Sequence, residues 1–106
     1  MADFYLVETA RGPAWQEGRS RPEQAGWDAH ASFMDGLVAD GFVVLGGPVG
    51  DLDGDEALLL LEAASEDDAR ARLSADPWIE GVLRIRSIRP WTIWLSRDGG
   101  FAPRAA

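Results

Sequence analysis

The 106-residue chain contains no cysteine and no lysine, and only one histidine. Without cysteine there can be no disulfide and no thiolate nucleophile or metal ligand. A lone histidine leaves zinc too few good ligands, so no metal is expected. Absence of cysteine suits a reducing compartment, and the cytoplasm is the expected one. Long apolar runs are also missing. The longest, Ala57 to Leu61, is far too short to cross a bilayer. The first residues, Met-Ala-Asp-Phe-Tyr, lack the basic and apolar regions of a secretory signal. Positive charge is scarce: ten arginines face 18 acidic residues, for a formal net charge of −8. Such a chain is repelled by nucleic acid and by anionic membrane surfaces, so neither is an expected partner.

What remains is ordinary globular material, 46% hydrophobic and 9% aromatic. Its length fits one domain, placed at residues 1–96, with 97–106 as a C-terminal tail. Phe4 to Thr9, aromatic and β-branched, predicts a first strand that ends at Arg11-Gly12-Pro13. Residues 10–21 predict an exposed loop, although Trp15 within it is not explained by loop chemistry. Pro22 to Asp40 has helical periodicity, with Pro22 in the first turn and Gly41 as the stop. At about 100° per residue, Trp27, His30, Met34, Leu37 and Val38 share one side. Gly36 within this helix marks a candidate close-packing point. Phe42 to Leu45 predicts strand two, Gly50 to Asp55 a turn, and Ala57 to Ala63 strand three. Four consecutive leucines there predict burial on both faces. Ser65 is an N-cap for a second helix supported by Glu66–Arg70 and Asp68–Arg72 pairs. That helix ends at Asp76-Pro77. Strand four runs from Val82 to Ile88, extended by Trp91 to Leu95.

The order β-α-β-β-α-β predicts a ferredoxin-like α+β fold, an antiparallel sheet with both helices on one face. The other sheet face needs a cover, and a second copy of the chain is the simplest, which predicts a homodimer.

Three pieces now stand in order: His30, Gly41 and Gly46-Gly47-Pro48; then Ala75-Asp76-Pro77-Trp78 with Gly81; then Ile88-Arg89-Pro90-Trp91. Together they resemble the YciI-like (YCII-related domain) family of dimeric α+β barrel proteins, over roughly Phe4 to Trp94. The resemblance implies a barrel closed by two subunits and a pocket beside a histidine–aspartate pair. Most members have no assigned activity. A related member is a dehydrochlorinase, and barrel cousins include lactone isomerases and monooxygenases. Val82-Leu83-Arg84-Ile85-Arg86 departs from the family pattern, which commonly has aromatic and acidic residues there.

His30 is the candidate acid or base, because no other side chain has an ordinary pKa suited to proton transfer near neutrality. The bland alternative is a histidine bonded to a backbone carbonyl. Asp76 sits at the unfavourable end of a helix dipole, which calls for a partner. Either it orients His30, or it forms an Asx turn with nearby backbone N–H groups. Arg84 and Arg86, placed on one strand face with Val82 and Ile88, are candidates to bind a carboxylate or phenolate, or else to pair with acidic side chains. Trp27 would wall a pocket for a planar ligand, or serve as core. Trp91 and Trp94 are candidates for the dimer interface. Asp51 is a candidate second carboxylate. The spacing from Asp51 to Glu62 mimics a calcium loop, but the required glycine is replaced by Glu56 and a strand follows.

Two functions follow. One is a cofactor-independent enzyme in which His30, oriented by Asp76, performs isomerisation, elimination or hydrolysis on a small acidic or aromatic metabolite. The other is a non-catalytic small-molecule-binding or accessory dimer.

Overall fold

The structure, a computed structural model, describes residues 3–51 and 54–97. Leu52 and Asp53 of the expected turn, and the tail from residue 98 onward, lie outside the described residues. Strand β1 spans Asp3–Arg11, helix α1 Trp27–Ala39, strand β2 Val43–Pro48, strand β3 Ala57–Ala63, helix α2 Glu66–Leu73 and strand β4 Leu83–Pro90. A short 3₁₀ turn, Arg21–Glu23, precedes α1. The strands form one sheet in the order β2-β3-β1-β4, with every neighbouring pair antiparallel. This is the ferredoxin-like α+β arrangement.

Alternation along the strands divides the sheet into two faces. Tyr5 and Val7 of β1, Leu61 and Ala63 of β3 and Ile88 of β4 join Leu37 of α1 and Ala69 and Leu73 of α2 in the main core. Both helices therefore cover the same face. Full burial of a side chain such as Leu61 contributes about 1.5–3 kcal/mol. In β3, Leu60 and Leu61 point to opposite faces and both are buried, as expected for an inner strand, whereas Leu58 is exposed.

Helix α1 begins later than periodicity suggested. Pro22 lies within the 3₁₀ turn instead, and the chain re-enters helix only after Gly26, whose φ of 79° is left-handed. A Cβ on Gly26 would also approach the Trp78 indole nitrogen to 3.2 Å. Gly41, φ 78°, closes the helix with Gly41 N–H to Val38 O and Phe42 N–H to Leu37 O, a Schellman motif. Leu37 is buried, but Val38 is exposed because the stripe is narrower than the pattern implied. Gly36 faces open space and marks no close packing. Close approaches lie instead at Gly12, where a Cβ would run into the Gly81 carbonyl, and at Gly46, where it would run into Leu59. Strand β2 runs on through Gly46 and Gly47 to Pro48.

Ser65 caps α2, its hydroxyl accepting from Asp68 N–H at 3.0 Å. Glu66 and Arg70 lie 3.8 Å apart. Arg72 turns instead to Asp40 at the end of α1, at 3.0 Å, so the expected Asp68–Arg72 pair gives way to a link between helices. Strand β4 continues through Pro90, and Trp91 to Leu95 form no strand.

One irregularity re-aims β4. Val7 pairs with Ile88 and Glu8 with Ser87, but Thr9 pairs with Ile85. Arg86 is thus an extra residue, a β-bulge that shifts the alternation by one. Leu83, Ile85 and Ile88 share the helix-covered face, and Arg84 points the other way.

Candidate active site

Helix α1 presents His30 one turn after its start, with the His30 N–H donating to Gly26 O at 3.1 Å. The chain leaving α2 carries Asp76, whose N–H bonds Leu73 O at 3.0 Å. Both residues are buried, His30 at 8% exposure and Asp76 at 5%. Nδ1 of His30 lies 2.9 and 2.8 Å from Oδ1 and Oδ2 of Asp76. An ionised carboxylate only accepts, so this contact places a proton on Nδ1 and leaves Nε2 as the ring nitrogen available to a ligand. Asp76 Oδ1 also accepts the Trp78 N–H at 2.9 Å. The orienting carboxylate and the Asx turn, read from sequence as alternatives, are one arrangement.

The imidazole lies on Trp78. Their ring centroids are 4.0 Å apart and their planes differ by 8°. Trp78 is 1% exposed, and its indole N–H donates to Ala25 O at 2.7 Å. Trp27 tilts against both rings, 5.8 Å from His30 and 5.7 Å from Trp78. Trp15 packs on the same cluster, which accounts for an aromatic residue in a polar loop.

His30, Asp76 and Trp27 line a cavity of about 420 Å³ between α1, the β2 edge and the loop before β4. Its walls are largely apolar, with Met34, Leu59, Ile79 and Leu83 contributing. Thr9, Arg21 and Asp35 add polar groups. Among the described residues no three histidine, aspartate or glutamate side chains gather as a metal site, and no helix is long and apolar enough to cross a membrane.

Three expected site residues lie elsewhere. Arg84 and Arg86 do not line the cavity, because the bulge separates them from the helix-covered face. Arg84 Nε donates to Arg11 O at 3.2 Å, and Arg86 is exposed and 4.0 Å from Glu56. Asp51 is exposed, and its carbonyl accepts from Gly54 N–H. Arg21, by contrast, belongs to a segment whose composition predicts an exposed loop, yet it is buried against the cavity. Its terminal nitrogen donates to the carbonyls of Asp55, at 3.0 Å, and Gly54, at 3.4 Å. Nothing local in its polar, glycine-rich segment signals that burial, which depends on a loop more than thirty residues away.

That loop is held by a second cluster. Arg11 donates to Asp55 through its backbone N–H at 2.9 Å, and through Nε and a terminal nitrogen at 3.2 Å each. Arg11 also pairs with Glu17. Hydrogen bonding from the Arg11 side chain, above all, lowers the Asp55 carboxyl from 3.8 to about 2. A folded-state pKa below the unfolded one stabilises the fold above the unfolded value, and this contribution disappears as pH falls through the folded value. Acid unfolding monitored by circular dichroism should therefore show wild type losing stability more steeply between about pH 4 and pH 2 than Asp55→Asn, which has no proton to gain.

A ferredoxin-like α+β protein with a buried histidine–carboxylate pair in a cavity wall is the class that fold and site define. The profile of the YCII-related domain matches residues 4–92, and the chain belongs to that family. No curated protein and no solved structure matches the chain.

Proposed function

We propose that the protein is a cofactor-independent enzyme in which His30 moves a proton to or from a small substrate in the cavity. The observation that carries this reading is the bond from His30 Nδ1 to a buried carboxylate on the wall of that cavity. Asp76 fixes the tautomer, and Trp78 fixes the ring plane. Nε2 is then a proton acceptor held in one direction, as general base catalysis requires. Isomerisation, elimination and hydrolysis all begin or end with such a transfer. A non-catalytic small-molecule-binding or accessory role is the second reading, favoured by the largely apolar wall.

Solvent exchange tests the first reading without knowledge of the full reaction. Small oxo acids and lactones with acidic C–H groups are incubated with the protein in D₂O and followed by proton NMR. Protein-dependent deuterium uptake is expected, and His30→Gln should slow it by about 10²-fold or more with the fold intact. Uptake unaffected by His30→Gln would remove the catalytic reading.

We also infer a homodimer. Leu45 and Leu58 of the sheet are exposed, as are Trp91 and Trp94, and a second copy is the simplest cover for such a surface. A stable monomer in sedimentation at micromolar concentration would contradict it.

A further inference from the structure

The histidine–aspartate pair leaves Arg21 without a role. Arg21 is only 7% exposed, yet its Nε is buried with no hydrogen-bond partner. Only one terminal nitrogen is seen bonded, to the Asp55 and Gly54 carbonyls. The guanidinium carbon lies 5.8 Å from the centre of the Trp15 ring. No carboxylate among the described residues ion-pairs with Arg21, and the oxygens of nearby Asp55 are already engaged by Arg11. Asp55 therefore acts on Arg21 only at longer range, and burial lowers the guanidinium pKa despite it. A desolvated cation with no carboxylate in direct contact is costly, and a ligand anion would complete it.

We propose that Arg21 anchors a small organic monocarboxylate in this cavity, which deepens the acid–base reading above by naming the substrate class. The carboxylate meets the guanidinium, and the apolar body lies against Trp27, Met34, Leu59 and Ile79. Arg21 and His30 line the same cavity, so one small ligand can meet both. One negative charge is the right number. The other charged side chains lining the cavity, Asp76 and Asp35, are both acidic, which disfavours a second negative charge on the ligand. A loop-bracing arginine with no ligand role is the competing account.

Sodium benzoate and its neutral isostere benzamide separate the two. Each is titrated into the full chain while the His30 and Trp78 ring resonances are followed by NMR. Benzoate should produce saturable shifts and bind at least about tenfold more tightly than benzamide. Arg21→Gln should weaken benzoate by about tenfold or more and leave benzamide unchanged. Equal binding of the two probes, no saturable benzoate response up to about 50 mM, or wild-type benzoate affinity in Arg21→Gln would overturn the proposal. Should Arg21→Gln fail to fold, Arg21→Lys decides, because it keeps the charge but not the fork. Benzoate weakened with benzamide unchanged supports the anchor, and equal weakening of both overturns it. His30→Gln should still bind benzoate, so failure of the anchor and failure of proton transfer give different results.

Discussion

Trp78→Ala is expected to destabilise the protein by about 3–5 kcal/mol, measured by urea unfolding. Domains of this size are typically stable by only about 5–15 kcal/mol, so the loss is a large share of the whole. The indole is the largest fully buried side chain among the described residues and holds together the cluster of Val82 and Leu83 with Trp15, Trp27 and Ile79. Its removal leaves a cavity, and it deprives the Ala25 carbonyl of a donor at the turn into α1. The same change frees one face of His30. A variant retaining wild-type stability would show that the stack is dispensable to the fold.

Asp76→Asn should weaken the chemistry on a scale comparable to loss of His30 itself. In the native site one oxygen of Asp76 accepts from both Trp78 N–H and His30, and the second oxygen accepts from His30 alone. With asparagine, an amide that keeps the Trp78 bond turns its NH₂ toward Nδ1. The ring then accepts there and carries its proton on Nε2, where it can no longer act as a base. Ring nitrogen NMR should show this exchange of tautomers. Proton transfer by His30 should fall by roughly 10³–10⁴-fold, the scale found when a triad carboxylate is changed in this way. An unchanged Nδ1 proton, or unchanged deuterium uptake, would dissociate Asp76 from the chemistry.

Most of the architecture was legible because its signals are local and repeat. β-Branched and aromatic runs mark β1, four leucines mark β3, and Ser65 followed by three acidic residues marks the start of α2. His30 and Asp76, 46 residues apart, could be paired because each is poorly placed alone: a polar ring on an apolar stripe, and a carboxylate just past a helix C-terminus. The start of α1 was not legible, since the break at Gln24 to Gly26 follows from a left-handed glycine packed on Trp78. Nor was the burial of Arg21, which depends on carbonyls at residues 54 and 55. The assignment of Arg84 and Arg86 to the face of Ile88 failed for one residue's worth of geometry. Alternation counts every residue, and a bulge adds one that alternation cannot reveal.

The gathering of Trp15, Trp27 and Trp78 beside His30, with Trp91 and Trp94 exposed on the single chain, divides the chain's indoles into two optical populations. Emission from the first group reports on the cavity, while emission from the second reports on whether a second copy covers that surface. The molecule thus carries an intrinsic gauge of occupancy that needs no label.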